Sequence, residues 1–318
     1  MSFLLLVIGF ALLIKSADIL IESASKLAKL FAIPPFIVGF SVIAFGTSAP
    51  ELVIGIFSGI KQNNLITLGD VIGSCIANIA LIIGVTAVIH PLTIDKSVLY
   101  KEIPLSFFVQ LLLFILLTLG GVLSMIDAVI LLILFAVFLF YIFNRSKDLG
   151  ITDLKNEGED VKEAEIHTVN SKVKLVGLLL ISIIGVIIGG NLVVNSSTEI
   201  AHMFGLSDVL IGVTIVAIGT SLPELVTSIV AALKKQSDIA VGNIIGSNIF
   251  NILFVLGISS FIHPIPKVAG LNLDILTMTF ATLLVFLIPL RRKVISKLGG
   301  TMLLALYIAF MIYKVLSV

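Results

Sequence analysis

The sequence predicts an all-α polytopic membrane protein: ten transmembrane helices in two inverted five-helix repeats, with broken helices 2, 3, 7 and 8 meeting at the midplane. Three observations carry that expectation. The 318-residue chain is 58% hydrophobic and 12% charged, with mean hydropathy +1.22, whereas a soluble domain carries about 25% charged residues. One phrase occurs twice: Gly46-Thr47-Ser48-Ala49-Pro50-Glu51-Leu52-Val53 returns as Gly219-Thr220-Ser221-Leu222-Pro223-Glu224-Leu225-Val226, 173 residues later. The basic residues, finally, gather on alternate loops.

A spanning helix needs roughly 20 mostly apolar residues. Ten stretches qualify, near 3–25, 36–60, 65–89, 103–121, 124–144, 173–196, 209–233, 239–262, 270–290 and 298–316. The first resembles a signal peptide in length, but Lys15, Asp18 and Glu22 interrupt it and its counterpart near 175–199 is internal, so a retained helix is expected. Five helices per half make an odd number, which inverts the second copy relative to the first. The expected parts are residues 1–144, a cytoplasmic charged linker at 145–172, and residues 173–318.

Basic residues set the orientation. With the N-terminus outside, Lys26, Lys29, Lys96, Lys101, six residues from Arg145 to Lys174, Lys234, Lys235, Arg291, Arg292, Lys293 and Lys297 all face the cytoplasm. Only Lys61, Lys267 and Lys314 face out, while Lys15 lies within a helix. The positive-inside rule therefore places both termini outside a cell membrane. The linker carries Glu157, Glu159, Asp160, Glu163 and Glu165 among lysines and reads as solvated chain. A calcium-sensing loop fails on spacing: with Asp153 as first ligand, Lys155 takes the third position and Ala164 the place of the closing glutamate.

The chemistry lies in residues 39–84 and 212–257, which align without a gap and share 20 of 46 identities. Pro50 lacks an N–H, so the carbonyl of Gly46 loses its helical partner and nearby Thr47 is disturbed. Free carbonyls at membrane depth are tolerated only where buried or lining a watery cavity. Thr47 and Glu51, four apart, share a helix face with that break, and Gly219, Thr220, Pro223 and Glu224 repeat the arrangement. In the second motif, Gly69-Asp70-Val71-Ile72-Gly73-Ser74-Cys75-Ile76-Ala77-Asn78, Gly73 is expected to loosen the helix. Ser74 and Asn78 share a face there, as do Ser247 and Asn251 in Gly242 to Asn251. These donors are hard oxygens without imidazole or thiolate, which suits Ca²⁺ or Na⁺ and argues against zinc or copper. A two-fold axis would bring Glu51 and Glu224 together as a midplane ion site. Their repulsion in low dielectric would be relieved by one Ca²⁺, two Na⁺ or two protons.

The paired GTS-x-PE and G-[ND]-x-x-GS-x-x-x-N segments resemble the two alpha repeats of the sodium/calcium exchanger family, within the cation/calcium antiporters, and most closely its short prokaryotic members. The likeness covers essentially the whole chain. It implies ten helices and alternating access, with the first and sixth helices sliding across the site-bearing bundle. It implies calcium ligands at Glu51, Glu224 and the carbonyls of Thr47 and Thr220. Sodium would add Ser48, Ser221, Ser74, Ser247 and the carbonyls of Ala44 and Ala217, with Asn78 and Asn251 completing the centre. Two departures stand out. Potassium-dependent relatives, and some prokaryotic ones, have aspartate where Asn251 stands, so the resemblance implies two carboxylates in the site rather than three and argues against potassium co-transport here. Asp70 stands where asparagine is usual, and is expected to cap the following half-helix or else to add negative charge at the ion's approach.

Other features read as structural. Lys15 and Asp18 are expected to form a local ion pair. His90-Pro91 and His263-Pro264, again 173 apart, are expected to anchor helix ends. The 21 phenylalanines read as lipid-facing and core filler. Lone Cys75 excludes an internal disulfide. No cofactor is expected, no basic cluster suits nucleic acid, and the partners are Ca²⁺, Na⁺ and the bilayer, with a monomer sufficient. The implied function is antiport of Na⁺ against Ca²⁺. The runner-up is Ca²⁺/H⁺ exchange, although proton-coupled relatives carry glutamate where Ser74 and Ser247 stand. A passive channel and an intramembrane hydrolase are weaker readings, the latter lacking HExxH, GxSxG or any Ser/His pairing, so no enzyme is expected.

Overall fold

Long runs of Leu, Ile, Val and Ala with few breakers leave the backbone one way to satisfy itself in lipid, the helix. The computed structural model describes residues 1–31, 33–150, 169–204, 219–268 and 270–317. Its helices are α1 (Ser2–Leu30), α2 (Pro35–Thr47), α3 (Ala49–Ile60), α4 (Leu65–Ile89), α5 (Val98–Gly120) and α6 (Met125–Gly150) in the first half. The second half has α7 (Val169–Met203), α8 (Leu222–Leu233), α9 (Ser237–Ile262), α10 (Leu271–Leu287) and α11 (Lys297–Ser317). Among the described residues, seven helices are long and apolar enough to cross a membrane. The pair α2 and α3 makes an eighth span bent by 46°, and α8 and α10 are shorter apolar helices. Residues 205–218, including Ala217 and the start of the expected seventh span, lie outside the described residues, as do residues 151–168 with all five linker acids. Helix α6 runs to Gly150 and α7 begins at Val169, both within the stretch expected as charged linker.

One feature differs from expectation within the spans. Gly73 and Gly246 do not break their helices, because glycine keeps its N–H and the backbone ladder survives. Instead α4 and α9 stay continuous and widen into π-helical turns at Ala77–Ile82 and Asn251–Val255. Such turns free local carbonyls and recur at functional sites. Helices 3 and 8 are thus bulged, not broken. The phenylalanines divide as expected between lipid-facing positions and the core. Phe135 on α6 packs against Phe45, Phe250 and Phe254, and Phe138 packs against Phe40, forming a buried aromatic wedge behind α2 and α9.

The halves interlock. Strand β1 (Leu92–Thr93) pairs antiparallel with β4 (Val294–Ile295), and β2 (Val122–Leu123) pairs with β3 (Ile265–Pro266). Beyond the strands, the Ile94 amide donates to the Lys293 carbonyl at 2.8 Å and the Lys267 amide to the Gly121 carbonyl at 3.0 Å, the same bond made by equivalent residues of opposite halves. His90 and His263 end α4 and α9 in extended backbone, each ring Nδ1 lying 3.0–3.1 Å from the carbonyl of the following proline. Helix α2 lies on α9 backbone to backbone: a Cβ on Gly39 would stand 2.5 Å from the Ile239 carbonyl, and one on Gly242 would stand 2.6 Å from that of Phe36. Helices α1 and α7 pair along their length in the same way through Gly9, Gly185 and Gly189.

Candidate functional site

Pro50 and Pro223 each occupy the first turn of a short helix, where a missing N–H costs nothing. The residue before that turn, Ser48 or Ser221, leaves helical geometry and becomes the N-cap, so the break falls just before the glutamate. Glu51 and Glu224 therefore project from the first turns of α3 and α8. Both glutamates are fully buried.

Hydroxyls from both halves stitch the centre. Ser48 donates to Glu224 Oε1 at 2.9 Å, and Ser74 donates to Glu51 Oε1 at 3.3 Å. Ser221 donates to Ser74 Oγ at 3.3 Å, and Asn251 Nδ2 approaches the same oxygen at 3.5 Å. Ser247 donates to the Ala44 carbonyl at 3.5 Å. Thr47 donates within its own helix, to the carbonyls of Ile43 and Ala44 at 3.1 and 3.3 Å, and also faces Asn243 Oδ1 at 3.2 Å. Asn78 Nδ2 donates to Asn248 Oδ1 at 2.9 Å.

Of the expected site residues, Glu51, Glu224, Thr47, Ser48, Ser221, Ser74, Ser247, Asn78, Asn251 and Ala44 are all buried in this cluster, and Thr220 sits at its edge, partly exposed. Ala217 lies outside the described residues. After these bonds are made, Glu51 Oε2, Glu224 Oε2, Asn78 Oδ1 and Asn251 Oδ1 remain buried with no donor among the described residues. Buried acceptors are nearly always satisfied. Within this cluster the four lone ones, two carboxylate and two amide, come in matching pairs from the two halves.

Sequence reasoning missed two asparagines. Asn243 bridges Thr47 to Thr227 and Ser228, its Nδ2 donating at 3.1 and 3.3 Å. Asn248 accepts from Asn78 and donates to the Cys75 carbonyl at 3.2 Å. The available signal was the mismatch between repeat mates, Asn243 against Asp70 and Asn248 against Cys75. Asp70 is not a helix cap: α4 starts at Leu65 after N-cap Asn64, and Asp70 lies in its second turn. The expected Lys15–Asp18 ion pair is present, and the fold adds a closer partner for Asp18. Asp18 Oδ1 meets Lys234 of α8 at 2.7 Å, whereas Lys15 stands at 3.8 Å, because α8 brings a nearer ammonium across the groove.

A cavity of about 350 Å³ adjoins the centre, lined by Pro50, Pro223, Gly219, Thr220 and, from α7, Gly190 and Asn191. Side chains of α7 fill the notches at both breaks: Ile183 packs where Gly46 lacks a side chain and Val194 where Gly219 does.

Comparison with known proteins decides the family. The model of the sodium/calcium exchanger protein family matches residues 1–144 and 174–316. The chain belongs to the sodium/calcium exchanger family. It is a multi-pass membrane protein of a transporter family, not an enzyme family. It is 30% identical to the sodium/calcium exchanger MaX1 of Methanosarcina acetivorans over 98% of this chain and 97% of that one. It is 37% identical to the putative antiporter CaxA of Alkalimonas amylolytica over 95% of both chains. Among solved structures, the sodium-calcium exchanger NCX_Mj soaked with zero Na⁺ and Ca²⁺ superposes with TM-score 0.82 at 31% identity, covering 97% of each chain. The same exchanger soaked with 100 mM Na⁺ and 10 mM Sr²⁺ also gives 0.82.

Proposed function

We propose that the protein is a secondary antiporter exchanging Na⁺ for Ca²⁺ by alternating access. The observation that carries this reading is the set of four buried, donorless oxygens on Glu51, Glu224, Asn78 and Asn251. Two carboxylates and two amides fit one doubly charged hard cation or several singly charged ones competing for the same charges. In this reading Glu51 and Glu224, with the carbonyls of Thr47 and Thr220, bind Ca²⁺. Sodium uses the hydroxyls of Ser48, Ser221, Ser74 and Ser247 and the carbonyls of Ala44 and Ala217, with Asn78 and Asn251 serving both. Likeness to MaX1 and NCX_Mj, named for sodium and calcium, supports this cargo.

Ten spans in two inverted repeats of 1–144 and 173–318 complete the proposal, with both termini outside and the stretch from 145 to 172 cytoplasmic. The strand pairs support that threading. Loops expected inside join one another through β1 and β4, and loops expected outside join through β2 and β3. The glycine-mediated pair α1–α7, seated against both breaks, is the element suited to slide. Because Cys75 is buried, a single cysteine introduced near residue 317 reports the side of the terminus. Labelling by an impermeant maleimide from the cytoplasmic face alone would reverse the orientation.

The deciding experiment is radiolabelled calcium uptake by proteoliposomes while the counter-ion is varied. An outward sodium gradient should drive saturable uptake that a pH gradient alone does not. Uptake driven by protons alone would make this a Ca²⁺/H⁺ exchanger, and uncoupled, non-saturating flux would make it a channel.

A further inference from the structure

Asp70, Ser74 and Asn78 follow one another at intervals of four along α4 and so share one face. Ser74 and Asn78 belong to the ion centre. Asp70 stands one turn away on the same face, about 5–6 Å along the axis. The Thr220 hydroxyl lies near its carboxylate. Thr220 in turn lines the 350 Å³ cavity between the two breaks and α7. The second carboxylate oxygen, Oδ2, is buried without a donor among the described residues, like those of Glu51 and Glu224. No basic side chain among the described residues pairs with Asp70. Its repeat mate Asn243 is placed equivalently beside Thr47, but is neutral and has its amide fully engaged with Thr47, Thr227 and Ser228. The pseudo-symmetric centre is thus flanked by a neutral amide on one side and a carboxylate on the other.

We propose that Asp70 is a third carboxylate of the transport site, acting from the cavity side to favour divalent over monovalent cations. This rests on the sodium/calcium exchange reading. The physical basis is Coulombic: a fixed negative charge stabilises a doubly charged ion twice as strongly as a singly charged one at the same distance. Removing it therefore weakens Ca²⁺ by the square of the factor by which it weakens each Na⁺. An asparagine already occupies the equivalent place in the other half, so the fold accepts the amide.

The test compares Asp70→Asn and Asp70→Glu with the wild-type protein. Calcium half-saturation is read from uptake into proteoliposomes, and sodium and calcium affinities from ⁴⁵Ca²⁺ binding to the purified protein with Na⁺ as competitor. Asp70→Asn should raise calcium half-saturation about tenfold and that of each Na⁺ about threefold, the ratio set by the charges. Maximal rate should stay within about twofold, and Asp70→Glu, which keeps the charge, should stay near wild type. An unchanged calcium half-saturation in Asp70→Asn overturns the proposal. So do equal factors for the two ions, or an Asp70→Glu as impaired as Asp70→Asn, since either marks a packing role. Should the amide variant not be recovered folded, Asp70→Ser is read in the same way. A wild-type protein that binds calcium without coupling it to sodium sinks the exchange reading, while the binding ratios still decide on Asp70.

Discussion

Helices α4 and α9 run through the middle of the molecule, while α1 and α7 lie along its flank, and the two pairs obey opposite rules. The most apolar stretches of α9 and α4 are 94% and 72% buried, against 33% for both α1 and α7. Yet the buried pair holds the polar residues: Ser74 and Asn78 on α4, and Asn243, Ser247, Asn248 and Asn251 on α9. In lipid a polar side chain has no solvent to turn to, so polarity moves inward and apolar surface moves outward. The flanking pair follows the other half of that rule. It shows Phe3, Val7, Ile181 and Ile184 to the outside and meets itself through glycines. One pair gathers buried polar groups from both halves, and the other packs closely through glycines.

The largest effects should come from the carboxylates served by the central pair. Glu51→Gln or Glu224→Gln keeps shape but removes charge from a buried, hydroxyl-stitched position. Calcium transport should fall at least about a hundredfold, the scale of losing one partner from a buried charge cluster, while the protein still inserts. Coupled flux near the wild-type level in either variant would remove the centre. Next in size is Asn251→Asp. Its Oδ1 is one of the donorless oxygens, and its Nδ2 makes only a 3.5 Å approach to Ser74. The substitution loses little bonding and adds one charge. The expected outcome is tighter calcium binding and a changed counter-ion profile in proteoliposomes. An unchanged profile would place Asn251 outside the charge balance.

Much of the central pair was legible in the sequence, because polar groups repeated inside apolar runs have few structural excuses. The motif residues that cluster in space are the ones that recur 173 apart. What was not legible depends on partners contributed from elsewhere in the fold. The π-turns at Asn78 and Asn251 contain no residue that removes a backbone donor, so nothing local marks them. Glycine at 73 suggested a break that the ladder does not make. Asn248 reads as an ordinary motif filler until it meets Asn78 and Cys75 from the other half. Asp18 has a lysine three residues away, and only the fold shows that one 216 positions distant is nearer.

The flanking pair is tested by crowding it. A Cβ on Gly189 would stand 2.6 Å from the Leu13 amide nitrogen, so Gly189→Val must push α1 and α7 apart. Overpacking of this kind costs about 1–3 kcal/mol. Thermal stability should fall, and maximal rate should fall with it, while calcium half-saturation stays unchanged. A shift in half-saturation instead would mean that the flanking pair shapes the site itself.

The smallest expected effect tests what ties the two regions together. Lys234 of α8 reaches both the Asp18 carboxylate at 2.7 Å and the Asp18 carbonyl at 2.9 Å, bridging the flanking α1 to a helix that carries a site glutamate. Both side chains are about a third exposed, Asp18 at 39% and Lys234 at 32%, so solvent screens the pair. An exposed pair contributes about 0.2–1 kcal/mol, which is about a 1.4- to 5-fold change in a rate. If α1 moves against α8 during turnover, the bond forms in some states and not in others, and its removal changes rate without touching the ion ligands. Asp18→Asn and Lys234→Met should each change maximal rate by that factor and leave calcium half-saturation alone. The double variant should be no more altered than Lys234→Met, which already removes both the carboxylate and the carbonyl contact. Additive effects would mean that the two residues act separately. A change in half-saturation as large as the change in rate would assign the pair to the ion centre and erase the division between a holding region and a moving one.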